Sequence, residues 1–300
     1  MPLPDTVDVL TIGSINLDHQ VCVDILPRRG ETVISRSLNQ GVGGKGANQA
    51  VAAARAGARS ALIGFIGDDA QSRGILERLQ VLGVDVSGVI AVAGVPSGSA
   101  LVVREVSGEN FIVVNSGANA AGDLPLSELE NAIVRAEVVV VQGELPPEVT
   151  GLVIDTAGRL GTRVVVNLAP VTSIGGAIRW ADPLVVNEVE AAQLLDTVET
   201  DGVELAKQLR ERVRSVVVTL GARGAVYTEG ADVLHVPAPR VDDIVDTTGA
   251  GDATVGVLAA HLARGESLGR AVEHAVRAGS ASVRFAGAAE GYPSFAEVVL

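Results

Sequence analysis

Asp246-Thr247-Thr248-Gly249-Ala250-Gly251-Asp252 runs directly into Ala253, Val255, Val257, Leu258, Ala259 and Leu262, apolar positions with helical character. A glycine-rich turn that opens a helix gathers free backbone N–H groups and the positive end of the helix dipole at one point. That arrangement favours anions, phosphate above all. A carboxylate is repelled from such a ligand, so Asp252 needs a reason to be there. Accepting the proton of an attacking hydroxyl is one; serving as a helix N-cap beside permissive glycines is another. The chemical reading joins an anion hole to a base, as phosphoryl transfer to an alcohol requires.

Outward from this run, short β-rich apolar stretches alternate with helical patterns, the signature of an α/β sheet with helices on its faces. Strands are predicted at 7–12, 61–66, 138–142, 163–167, 183–186 and 215–219. Helices are predicted at 47–56, 70–82, 147–160, 188–195, 203–212, 251–263 and 268–285. The run Val138-Val139-Val140-Val141 reads as a central parallel strand buried on both faces. Two segments break the rhythm, with alternating strands at 20–25, 31–37, 100–105 and 110–115, the last two joined by Ser107-Gly108-Glu109. The expected division is therefore an α/β core of residues 1–15, 41–96 and 120–300, with a small antiparallel β lid inserted as 16–40 and 97–119. Beside a phosphate site such a lid excludes water.

The 300 residues suffice for one large α/β domain with an appendage. Aromatic residues make up 2%, so the interior must be Val, Leu, Ile and Ala. A formal net charge of −13 argues against nucleic acid or an anionic membrane as partner. Cys22 is the sole cysteine, which leaves no disulfide framework and fits a reducing cytoplasm. No apolar run reaches the length of a membrane span, so a cytoplasmic protein is expected.

A second glycine cluster, Gly41-Val42-Gly43-Gly44-Lys45-Gly46-Ala47-Asn48-Gln49, satisfies G-x-G-x-x-G, with Asp68-Asp69 about twenty residues on. A dinucleotide fingerprint belongs in the first strand-to-helix turn, however, and here Gly13-Ser14-Ile15-Asn16-Leu17-Asp18 follows the first strand. It is not a Walker A loop either, because Gly46 follows Lys45. Close backbone approach to a small polar ligand, with Lys45 and Asn48 as donors, is the better reading; a glycine hinge is the plainer one. Asn16 and Asp18, spaced i, i+2 beyond a strand end, share one face and suit vicinal hydroxyls, although Asx residues there are also turn formers. Glu144 follows another buried strand. Asn187-Glu188-Val189-Glu190 lies at a strand-to-helix junction, where it can orient hydrated Mg²⁺ or simply cap the helix.

Asn16-x-Asp18, Gly43-Gly44-Lys45-Gly46-Ala47-Asn48-Gln49-Ala50, Asn187-x-x-Glu190, Thr219-Leu220-Gly221-x-x-Gly224 and Asp246–Asp252 occur in that order. Together they resemble the ribokinase-like (PfkB) carbohydrate kinase family over essentially the whole chain. Gly13–His19, the full glycine-lysine run and Ser116-Gly117-Ala118-Asn119-Ala120-Ala121 look more like members acting on D-ribose than like adenosine- or fructose-kinase members. The resemblance implies a three-layer α/β/α core with a β lid, and ATP-dependent phosphorylation of the 5-hydroxyl of D-ribose. It implies Asp252 as general base, with the N–H groups of Gly249, Ala250 and Gly251 as the anion hole. Asn16, Asp18, Gly44, Lys45, Gly46, Asn48 and Glu144 would hold the sugar. Asn187 and Glu190 would act near Mg²⁺ and the phosphates, while Thr219, Gly221, Gly224 and Gly251 would line the nucleotide site. An activating K⁺ or other monovalent cation is implied at Asp246 and Thr248, with Ser282, Phe285, Gly287 and Gly291 giving mostly backbone oxygens. Gly291 departs from the family there, standing where a Ser hydroxyl is usual. The adenine contacts are left unassigned, with His274 near that position. A homodimer through the lid is expected, from the resemblance and from an apolar lid face of Val21, Val23, Val33, Leu101 and Val103.

Overall fold

Valine-rich strands lie at the centre of the protein, and each sends alternate side chains to opposite layers. Val139 and Val141 enter one apolar cluster while Val138 and Val140 enter the other. Val164 and Val166 are likewise split from Val165, and Val216 and Val218 from Val217. Only a sheet covered on both faces gives that division. The computed structural model describes residues 3–106 and 110–296. Across its nine-stranded sheet the order is Asp232–Val236, Ala225–Glu229, Val216–Thr219, Ala181–Asn187, Arg163–Asn167, Ala136–Gln142, Val7–Ile12, Ser60–Ile63 and Val84–Asp85. The strands from Val216–Thr219 onward run parallel, and the first two close the edge as an antiparallel hairpin.

One layer holds the helices Leu126–Ile133, Pro147–Leu160, Glu188–Leu195 and Gly202–Arg210; the other holds Lys45–Arg55, Ser72–Val81, Ala250–Ala263 and Leu268–Ser282. The three-layer expectation holds. Several bounds differ for local reasons. The strand expected over 61–66 breaks at Gly64, where a Cβ would fall 2.5 Å from the Gly13 carbonyl oxygen. Phe65–Gly67 therefore leaves the main sheet and pairs with Ile90–Val92. The last helix ends at Ser282 rather than 285, because the chain turns there into a loop that reaches back to Asp246.

A separate four-stranded sheet has the order Ser37–Gly43, Asn16–Val23, Gly98–Glu105 and Asn110–Asn115. Its outer pairings are antiparallel, but its central pair, Asn16–Val23 with Gly98–Glu105, is parallel, so the sheet is mixed rather than purely antiparallel. Its second strand begins where the sequence reading ended it. Residues 31–36 lie outside any strand, and pairing continues from Ser37 into the glycine cluster, with Gly43 opposite Asn16. The joining turn Ser107–Glu109 lies outside the described residues. The expected apolar face is also redistributed. Val23 and Val103 are buried, Val33 lies off the sheet, and the edge strand leaves Phe111, Ile112, Val113 and Val114 exposed.

Candidate active site

The Asp246–Asp252 run forms the turn and helix start that the sequence implies. Gly249 is the N-cap of Ala250–Ala263 with φ 77°, a left-handed conformation that favours glycine. Tyr292 Oη donates to the Gly249 carbonyl at 2.7 Å, and a Cβ on Gly249 would lie 2.6 Å from that hydroxyl. Tyr292 is buried, and desolvation followed by the charge of Asp252 pushes its pKa well above the ordinary value, so it stays a donor. The Ala250 N–H is taken by Thr247 O at 3.3 Å, whereas those of Gly249, Gly251 and Asp252 find no hydrogen-bond partner among the described residues. The available donors thus differ by one from the expected Gly249–Gly251 set, because Ala250 closes the turn.

Asp252 sits in the first helical turn and is buried. Asn48 Nδ2 donates to its Oδ2 at 2.9 Å and Gln49 Nε2 to its Oδ1 at 2.8 Å. Gln49 is itself held: its Nε2 also donates to Asn167 Oδ1 at 2.9 Å, and its Oε1 accepts from Gln142 Nε2 at 2.7 Å. Asn167 Nδ2 donates to the Val185 carbonyl at 3.0 Å. That carbonyl can only accept, so the direction of the whole chain of amides is fixed and Gln49 must offer N–H to the carboxylate. The sequence reading gave Gln49, Gln142 and Asn167 no role, since a buried amide is legible only through its partners.

Glycines 43, 44 and 46 make room for protein atoms. A Cβ on Gly43 would lie 2.1 Å from the Asp18 carboxylate, one on Gly44 2.8 Å from Ser14 O, and one on Gly46 2.5 Å from Gly13 C. The expected close approach is therefore to the turn Gly13–Ser14 and to Asp18. The dinucleotide pattern dissolves as well, because Gly41 and Gly43 lie inside a strand. The helix Lys45–Arg55 has no capping side chain at Gly44. Instead Glu144 Oε2 accepts from Lys45 N at 2.9 Å and from the Ser14 hydroxyl, which in turn accepts from Gly46 N at 3.3 Å.

This packing brings Asp18, Lys45, Asn48, Glu144 and Asp252 together. Burial first, then the charges of Glu144 and Asp252, push the Asp18 carboxyl up to about 6. Asp252 likewise raises the pKa of Lys45, there by favouring the charged form, and with Glu144 and Glu190 it outweighs burial. Glu190 thus belongs to the same electrostatic neighbourhood. Asp18 Oδ1 and Asn48 Oδ1 are buried with no hydrogen-bond partner among the described residues. Buried polar atoms are ordinarily paired, so two acceptors converging here fit a polyhydroxyl ligand.

On the other side of the Gly249 turn lies a cavity of about 570 Å³, within the range of small-molecule sites. Thr219, Gly221, Gly224 and Gly251 line it, as the resemblance implies for a nucleotide, with Ala250 beside them, whereas Asn187 is not in its wall. Its remaining walls were not foreseen: Ala238, Val241, Ile244, Val276 and Val283 form an apolar slot fit for a flat base. Gly279 admits the last helix to this wall, since a Cβ there would lie 2.4 Å from Thr254 Oγ1. His274 faces a different cavity, beside His261 and Arg264. Its ring stacks on His261 at 3.9 Å.

Asn187 and Glu190 close a capping box on Glu188–Leu195, with bonds of 2.9 Å in each direction. The other Glu190 carboxylate oxygen takes no hydrogen bond among the described residues, a donor of the kind that would suit an ion keeping most of its hydration. At Asp246, burial alone would raise the carboxyl, but bonds from Thr248 and Gly287 and the charge of Arg104 hold it below its usual range. Thr248 donates to Oδ1 at 3.0 and 2.7 Å, and Gly287 N to Oδ2 at 3.0 Å. An ionised carboxylate thus joins the loop bearing Ser282, Phe285, Gly287 and Gly291, a donor set of oxygens suited to a hard cation. A Cβ on Gly291 would lie 2.3 Å from Ala286 O, so the missing Ser hydroxyl accompanies a tight turn.

The profile of the pfkB family carbohydrate kinases matches residues 7–294. The chain is 34% identical to a ribokinase of Schizosaccharomyces pombe, covering 97% of this chain and 96% of that protein. It is 35% identical to a ribokinase of Bacillus subtilis, covering 97% and 98%. The solved structure of Arabidopsis thaliana ribokinase complexed with ribose and ATP superposes with a TM-score of 0.88 at 28% identity, covering 98% of this chain and all of that one.

Proposed function

Since the chain belongs to the pfkB family of carbohydrate kinases, we propose that it transfers the γ-phosphoryl group of ATP to the 5-hydroxyl of D-ribose, giving D-ribose 5-phosphate and ADP. The observation that carries this reading is Asp252: a buried carboxylate, held by two amide donors, at a helix start between a polar cluster and an apolar cavity. The sugar binds in the cluster of Asn16, Asp18, Gly44, Lys45, Gly46, Asn48 and Glu144. ATP lies in the cavity from Thr219, Gly221 and Gly224 to Gly251. Asp252 accepts the hydroxyl proton as the oxygen attacks phosphorus and the bond to the ADP oxygen breaks. Free N–H groups at Gly249 and Gly251, with Lys45, stabilise the negative charge on the transferring group.

When bound near Asn187 and Glu190, Mg²⁺ supplies further neutralisation of phosphate charge. K⁺ or another monovalent cation at Asp246, Thr248 and the 282–291 loop would fix the turn carrying Gly249. The mixed sheet built on segments 16–40 and 97–119 serves as the lid, its second strand running on into the glycine cluster. Its exposed edge strand calls for an apolar partner, which a second copy of the chain supplies, giving a homodimer. No helix among the described residues is long and apolar enough to cross a membrane, and a cytoplasmic setting, where ATP is at hand, fits the reaction.

The test is ADP release with D-ribose, 2-deoxyribose, fructose and adenosine, each with MgATP, with and without K⁺. Preference for ribose with activation by K⁺ is expected. Preference for another acceptor would keep the kinase and replace the sugar, and absence of turnover with all four would sink the reading.

A further inference from the structure

The run Ser116-Gly117-Ala118-Asn119 has no role in the reaction so far. Asn119 is nevertheless 2% exposed, and its side chain carries three hydrogen bonds. Gly117, at φ 48°, starts the short helix Ala118–Ala121 that aims it at the first lid strand. Its amide lies against the Ile15 peptide from both sides: Ile15 N donates to Oδ1 at 3.0 Å, and Nδ2 donates to Ile15 O at 3.1 Å. A peptide N–H only donates and a carbonyl only accepts, so this amide fits one way round. Its second N–H then donates to Asn16 Oδ1 at 2.9 Å. Gly98 leaves room for the pair, since a Cβ there would lie 2.3 Å from both bonded atoms.

With its oxygen held toward Asn119, the Asn16 amide is fixed in direction and turns Nδ2 the other way, where it has no protein partner among the described residues. We propose that Asn119 is a positioning residue for sugar recognition: it locks Asn16 as a donor, so that the site reads the oxygen of a sugar hydroxyl, the one 2-deoxyribose lacks. The inference rests on the sugar-kinase reading above. Asn119 touches no reacting atom and acts wholly through the direction of one amide.

Asn119→Asp tests it. The carboxylate still accepts from Ile15 N, but its other oxygen loses the bond to the Ile15 carbonyl and faces Asn16 Oδ1. Asn16 relieves that contact by turning its Nδ2 toward residue 119 and its oxygen toward the sugar. The expected result is a rise of roughly 10- to 100-fold in KM for ribose, the scale of losing a buried hydrogen bond and facing two acceptors. KM for 2-deoxyribose and for ATP should stay within about twofold, so the preference for ribose collapses. In an Asn16→Ala background the same substitution should have no further effect on that preference. Asn119→Ser, which frees Asn16 to turn either way, gives an intermediate loss and serves if the Asp variant does not fold. A merely structural role predicts equal losses for both sugars and ATP, persisting without Asn16. That pattern, or an unchanged ribose preference in a folded variant, overturns the proposal. A wild-type enzyme that phosphorylates both sugars equally also overturns it while leaving the kinase standing; no turnover of any sugar removes the kinase reading instead.

Discussion

Two glycine clusters face one another across Asp252, and they use the same residue for opposite ends. In Gly43, Gly44 and Gly46 the missing side chains are filled by protein, the Asp18 carboxylate and the Gly13–Ser14 backbone. In the second cluster Gly249 is crowded by Ala288 and Tyr292, whereas a Cβ on Gly251 would meet nothing within 4 Å. The first cluster packs the scaffold of the proposed sugar site; the second leaves backbone N–H groups open toward the cavity proposed for the nucleotide. A glycine-rich motif therefore says that something comes close to the backbone, and only the fold says whether that is protein or ligand.

The largest effect is expected where the clusters meet. Asp252→Asn should lower kcat by roughly 10²–10⁴ if base catalysis is its main role. Both partners donate to Asp252, so an amide there would set one NH₂ against a donor. Asn48 can relieve this by turning its unpartnered Oδ1 inward, and the variant should stay folded. Thermal melting alongside steady-state rates checks both points, and a kcat loss below about tenfold removes the base assignment.

The contrast between the clusters is broken most directly by paired alanines. Gly44→Ala puts a Cβ at φ 86° and 2.8 Å from Ser14 O, so it should cost about 1–3 kcal/mol of stability, seen as a fall in Tm. Gly251→Ala should leave Tm level or slightly higher, since its Cβ meets nothing; by holding a phosphate away from the Gly251 N–H, the added methyl should raise KM for ATP by roughly tenfold, the scale of one hydrogen bond lost to a charged group. An unchanged KM in Gly251→Ala, or a stable Gly44→Ala impaired only in catalysis, would erase the distinction. Tyr292→Phe gives a smaller effect. It removes the donor to Gly249 O, and a few-fold fall in kcat is expected, with about 1 kcal/mol of stability.

The motif residues were legible because their chemistry is local. Asp246–Asp252 carries turn, helix start and carboxylate within seven residues, and the capping box at Asn187 and Glu190 within four. What escaped acts at long range through common residue types. Gln49 is 203 positions from Asp252, and Asn119 is 103 from Asn16. Neither type nor spacing announces such a contact. The lid register is hidden for a related reason. Residues 31–36 hold the β-branched run Thr32-Val33-Ile34, which has strand propensity, whereas Ser37-Leu38-Asn39-Gln40-Gly41-Val42-Gly43 is polar and glycine-rich. Pairing with Asn16–Val23 overrides that propensity, and glycine at 43 is what lets the Asp18 carboxylate fit.

Asp18 offers the mildest and most informative handle on the sugar side. Its carboxyl is raised to about 6 by burial, Glu144 and Asp252, against 3.8 for the unperturbed group. The folded state therefore holds this proton more tightly than the unfolded chain. The resulting stabilisation is fully present below pH 3.8 and is lost as pH rises through about 6. Asp18→Asn removes that dependence, so the Tm difference between variant and wild type should widen in the variant's favour between pH 4 and pH 7. Binding of a hydroxyl donor runs the other way, since the ionised carboxylate is the better acceptor. KM for the sugar should accordingly rise below about pH 6 in the wild type and stay level in Asp18→Asn, at a higher value throughout. Parallel Tm profiles would mean that the buried cluster admits enough water to level the carboxyl. The sugar side would then be an open polar surface, and the contrast with the nucleotide side would rest on the glycines alone.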